Sequence, residues 1–144
     1  MLRSFGIEGF QKYVRKVSRH LACAEFALSM QCISLNNSFS EYIRASSIFE
    51  LVTPPSFALT VFRLLPGPAG STEELERVNT LNRAFYSDLQ SRPNLVLTHT
   101  SLGGVFCTRL AVGAARTEQS DIDNAWAIIK EVGESILVKK GYCP

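Results

Sequence analysis

The 144-residue chain has no large excess of charge of either sign: 15 lysines and arginines face 13 acidic residues, a formal net charge of +2. So small and scattered a balance gives no basic stripe of the kind nucleic acid requires. No apolar run approaches the ~18–20 residues that a membrane helix needs. The four cysteines, Cys23, Cys32, Cys107 and Cys143, include no C-x-x-C pair and have no histidine at zinc-ligand spacing. No secretory signal opens the chain, so reduced thiols in a cytoplasmic setting are the expectation. With 46% hydrophobic and 19% charged residues, the chain can bury a core as one domain.

Periodicity then organises the chain. From Ile7 to about Leu21, Phe10, Tyr13, Val14, Val17 and Leu21 recur at helical spacing, with Lys12, Arg15, Lys16 and Arg19 on the solvated side. Phe26, Leu28, Met30 and Cys32 fall instead at alternate positions, a strand-like period. Asn36-Asn37-Ser38 is turn chemistry, and Ser38 with Glu41 makes a capping box for a short second helix. Phe49–Val52 and Phe57–Leu65 read as strands around the turn Thr53-Pro54-Pro55-Ser56. Both faces of the second strand are apolar, so both are expected to be covered. Ser71 and Glu74 open a helix that buries Leu75, Val78, Leu81, Asn82 and Phe85.

Two apolar runs around Gly103-Gly104, residues 97–113, predict an antiparallel hairpin. Thr117 is the expected cap of a last helix, with Glu118 at its positive end, and Ile122, Ala125, Trp126, Ile129, Val132 and Ile136 line its buried side. Helix, two strands, helix, two strands, helix is an α+β order, with helices packed on an antiparallel sheet.

Few residues suggest chemistry. Arg109 stands in the middle of a strand built for burial and shares a face with Val105, Cys107 and Ala111. A guanidinium there needs a carboxylate, supplied by the protein or by a ligand. Arg63 ends its strand and reads as a structural ion pair. His99, between Thr98 and Thr100, has no acid within several residues to orient it as a base, and no activated Ser or Cys beside it. Gly103-Gly104 leads into no helix, so it is no phosphate cradle, and Gly6 and Gly9 are too sparse for a dinucleotide fingerprint.

Leu2-Arg3-Ser4-Phe5-Gly6, the run from Phe57 to Leu64, the 97–113 hairpin, and Thr117-Glu118 leading to Ala125-Trp126 occur in an order and spacing that resemble one family. This is the C-terminal domain of the group II pyridoxal-phosphate-dependent decarboxylases, with the aromatic-L-amino-acid and tyrosine decarboxylases most alike. The resemblance implies the small C-terminal domain of the fold-type-I superfamily, a four-stranded antiparallel sheet with helices, over residues 1–140. In that family the first helix runs on unbroken, which makes residues 26–37 an expected insertion. The parent activity it implies is removal of the α-carboxylate of an aromatic amino acid, giving the amine and CO2, by a cytosolic homodimer using pyridoxal phosphate.

Lys12, Lys16, Lys130, Lys139 and Lys140 all lie on charged helix faces or near the end, and none follows the Ser or Asn, any residue, His pattern of the family's Schiff-base site. The expectation is therefore a fragment without its large cofactor domain, in keeping with the abrupt start at Met1. No residue here is expected to be catalytic or to bind the cofactor. Arg109 is the one candidate for contact with a substrate or interdomain carboxylate. A free-standing α+β binding or dimerisation module is the alternative.

Overall fold

The computed structural model describes residues 27–65, 72–93, 95–114 and 116–141. The expected first helix, Lys12, Lys16, Cys23 and Cys143 lie outside the described residues. The chain divides into two units, 1–31 and 32–144. Of the first, residues 27–31 are described and are helical. The second holds the sheet and its core.

Helix α1, described over residues 27–45, is followed by β1 (Phe49–Leu51), β2 (Leu59–Leu64), α2 (Thr72–Gln90), β3 (Thr98–Leu102), β4 (Val105–Ala111) and α3 (Gln119–Lys139). The strands form one antiparallel sheet in the order β1-β2-β4-β3. The α+β expectation therefore holds, with three helices and four strands among the described residues.

The alternation expected before Ser38 is not a strand, and residues 36–38 are not a turn. Cys32, Leu35, Asn36, Phe39, Ser40 and Ile43 are buried at spacings of three and four, one stripe of a continuous helix. Asn36 favours turns because its amide competes for nearby backbone. Here that amide is engaged by β2 instead: Thr60 Oγ1 donates to Asn36 Oδ1 at 2.8 Å, and Asn36 Nδ2 donates to the Phe57 carbonyl at 3.4 Å. Ser38 is no cap, and its hydroxyl donates back to the Ser34 carbonyl within the helix. Two element ends also differ from expectation. Strand β2 begins at Leu59, because Phe57 takes a left-handed φ of 53° in a tight turn closed by Ser56 and Leu59. The cap of α3 is Glu118 rather than Thr117, with Asp121 Oδ2 accepting the Glu118 N–H at 2.9 Å.

Gly103 and Gly104 both take positive φ, 57° and 84°, as a two-residue type I′ connection between β3 and β4 demands. The register pairs Val61 with Arg109 and Phe62 with Thr108. This puts Phe49, Thr60, Phe62, Leu64, Phe106, Thr108 and Leu110 on one face and Glu50, Val61, Arg63, Cys107 and Arg109 on the other.

The three described helices lie on the first face. Rings from five elements, Phe39, Phe49, Phe62, Phe85 and Trp126, meet there with centroids 5.5–6.2 Å apart. Helix α3 approaches closely only because residue 133 is glycine: a Cβ would stand 2.6 Å from Phe49 Cζ and 3.2 Å from Leu64 Cδ1. Alanine would gain up to ~1 kcal/mol of helix propensity. Phe49 is only 5% exposed and held by three rings, so it cannot yield. Overpacking at such a site costs ~1–3 kcal/mol, so Gly133→Ala is expected to lower the urea midpoint despite its better propensity.

Candidate functional site

The second sheet face carries the charged residues of the strands. Glu50 on β1 lies opposite Arg63 on β2, and Arg63 Nε donates to Glu50 Oε1. The Arg63 side chain is only 13% exposed, so this is the structural ion pair the sequence suggested. Cys107 sits opposite Arg63, and Arg109 is one strand position beyond it on the same face, diagonal to Arg63.

Burial governs this group. Cys107 is fully buried, and that burial pushes its thiol up, outweighing the downward pull of the Arg63 guanidinium. A thiol held protonated and out of reach is no nucleophile. Arg63 Nη1 and Arg109 Nε are both buried without a hydrogen-bond partner among the described residues. Each unpaired buried donor costs ~1–3 kcal/mol. Among the described residues no helix covers this face.

The other expected residues do not join them. Thr98 is the neighbour of Arg109 across the ladder, whereas His99 points to the helix side. Its ring stacks on Phe106 at 5.3 Å and meets Tyr86 edge-on at 4.8 Å. Arg83 lies over the other ring of that stack, 5.6 Å from the Phe106 centroid. His99 is thus an aromatic contact on an edge strand. Sequence reasoning missed Asn79, whose amide donates to the Gly104 carbonyl and accepts from the Phe106 N–H, each at 2.8 Å. It fastens the hairpin turn to α2 and has no part in chemistry.

Pyridoxal phosphate needs a lysine amine in a partly desolvated site. The described lysines do not offer one: Lys130 and Lys139 are 54% and 66% exposed, and Lys140 is exposed. No metal-binding group of His, Cys, Asp and Glu occurs among the described residues, and no described helix is long and apolar enough to cross a membrane. The described residues do not fit the cofactor, and no catalytic step is assigned to them.

A four-stranded antiparallel sheet with its helices gathered on one face is the class of small accessory domain the sequence suggested. No family model matches the chain. It is 33% identical to tryptophan decarboxylase 2 of Oryza sativa over 139 residues, which are 96% of this chain and 24% of that protein. It is 32% identical to phenylacetaldehyde synthase of Arabidopsis thaliana over a similar span. In three dimensions it resembles the Oryza sativa TDC crystallised with PLP and tryptamine, with a TM-score of 0.68 and 26% identity over 94% of this chain and 24% of that one. The chain is homologous, over nearly its whole length, to the C-terminal quarter of the plant aromatic-amino-acid decarboxylases, a group within the group II pyridoxal-phosphate decarboxylases.

Proposed function

We propose that these residues are the C-terminal domain of a carboxy-lyase that converts an aromatic L-amino acid to its amine and CO2, and that they have no such activity alone. The observation that carries this reading is the match over 96% of the chain to only 24% of a tryptophan decarboxylase. The pyridoxal phosphate and the lysine that anchors it belong, in this reading, to a large domain outside these residues, and the parent is a cytoplasmic homodimer. Relatives at nearly equal identity bear decarboxylase and aldehyde-synthase names, so the choice between those two outcomes rests, in this reading, with residues elsewhere. Residues 26–37 are an addition to the family pattern whose later part, at Cys32, Leu35 and Asn36, has been built into the core.

The role of this domain is support. The sheet face that carries Arg63 and Arg109 lies towards the cofactor-bearing part, and Arg109, with Arg63 beside it, receives a carboxylate from that part or from the substrate. A decarboxylase gains nothing from clamping the departing carboxylate tightly, because that would stabilise the ground state more than the transition state. An acidic side chain of the large domain is therefore the better partner.

The full chain, incubated with pyridoxal phosphate and L-tryptophan or L-tyrosine, is expected to release no amine. It should also show no pyridoxal absorbance that survives dialysis and is trapped on a lysine by borohydride. Amine release together with such a trapped lysine would overturn the reading. A monodisperse chain with a cooperative melt and no tendency to associate would favour the free-standing module instead.

A further inference from the structure

On the helix side of the domain, far from the charged sheet face, a cleft of about 320 Å3 opens between the C-terminal end of α1 and the outer side of α3. Its wall is aromatic. The rings of Tyr42 and Trp126 stack with centroids 5.9 Å apart and planes 21° apart. They are fixed from behind, because the Tyr42 hydroxyl donates to Asp123 Oδ1 at 2.7 Å and Gln119 Nε2 donates to the same oxygen at 2.9 Å. The bond to Asp123 holds the Tyr42 phenol up, and the Gln119 bond, followed by that of Tyr42, holds the Asp123 carboxyl down, so the wall stays a neutral phenol against a charged support. Ile48 completes the apolar part.

The rim bears one charge of each sign. Lys130 Nζ and Glu134 Oε1, one turn apart on α3, are 3.9 Å from each other, and both side chains are about half exposed. An exposed pair this loose contributes little by itself and separates readily for better partners. The last turn of α1 ends at the cleft and brings the negative end of its dipole to it. A volume at the low end of ligand sites suits one ring and not two.

We propose that this cleft binds a small zwitterion carrying a flat apolar ring, a single-ring aromatic α-amino acid, with its ring on Trp126, its carboxylate on Lys130 and its ammonium on Glu134. The inference is independent of the decarboxylase reading, since none of these residues belongs to the sheet face.

Trp126 is the sole tryptophan of the chain, so its emission reports on the cleft alone. The full chain, excited selectively at Trp126, is titrated with L-phenylalanine, with 2-phenylethylamine, which keeps only the ammonium, and with 3-phenylpropionate, which keeps only the carboxylate. L-phenylalanine is expected to give a saturable change, and each singly charged analogue to bind about three- to fivefold more weakly, the loss of one half-exposed charge contact. Lys130→Ala and Glu134→Ala should each weaken L-phenylalanine by a similar factor, with unchanged circular dichroism. No saturable response to L-phenylalanine below about 10 mM, where affinity is too weak to be specific, would overturn the proposal. So would equal responses to all three compounds, or variants that bind as the parent does.

Discussion

Phe49→Ala is expected to remove about 4 kcal/mol of stability, more than any other substitution proposed for this chain. Phe49 lies on the three-residue edge strand β1, where the ladder itself offers little. Its ring meets Phe62 at 6.0 Å, Phe85 at 5.7 Å and Trp126 at 5.6 Å, so it joins β1 to a strand and two helices. Truncation costs the transfer of a buried phenyl group plus the cavity it leaves, because neighbours held by other contacts relax only in part. Set against a typical domain stability of ~5–15 kcal/mol, that is a large share. Urea unfolding followed by Trp126 emission measures it. A loss under about 1 kcal/mol would mean that the aromatic cluster is not packed as described.

The second large effect is polar. Asn82 on α2 is fully buried, yet its side chain accepts the Leu64 N–H at 2.8 Å and donates to the Leu64 and Val78 carbonyls, each at 2.9 Å. It acts as one more strand residue, completing the backbone pairing at the end of β2. Asn82→Leu keeps the volume but abandons a buried N–H and a buried carbonyl, each costing ~1–3 kcal/mol. The added apolar burial offsets a minor part, so a loss of about 3 kcal/mol is expected by the same denaturation measurement. Asn79→Leu, whose partners at the hairpin turn are only partly buried, should lose clearly less. Equal losses at the two positions would mean that burial does not set the cost.

The range of each signal decides how much of it is legible in the sequence. The Gly103-Gly104 turn and the apolar stripes of α2 and α3 are local patterns, and they appear where expected. The face of Arg109 follows from strand alternation alone, and the register agrees. The segment before Ser38 misleads because Phe26, Leu28, Met30 and Cys32 alternate by coincidence: Met30 is 52% exposed and takes no part in the core. The helical stripe that does exist includes Asn36 and Ser40, polar residues whose burial depends on Thr60, 24 and 20 positions away. No local rule anticipates such a partner. The same is true of the cleft, which needs Tyr42 and Trp126 brought together from two helices.

The strand order has a kinetic corollary. Each outer strand is joined to its neighbour by a short connection, so both hairpins can zip on the ~1–10 μs scale of local ribbons. The central seam is different, because Phe62 must find Thr108 after 46 intervening steps of chain that include the whole of α2. Closing so long a loop is entropically uphill until the helix docks, which makes that seam the last ladder to form. Pulse-labelled amide exchange during refolding should protect Thr100 and Cys107, paired across the outer hairpin, before Phe62 and Thr108, paired across the seam. Simultaneous protection would mean that the two ribbons never exist apart.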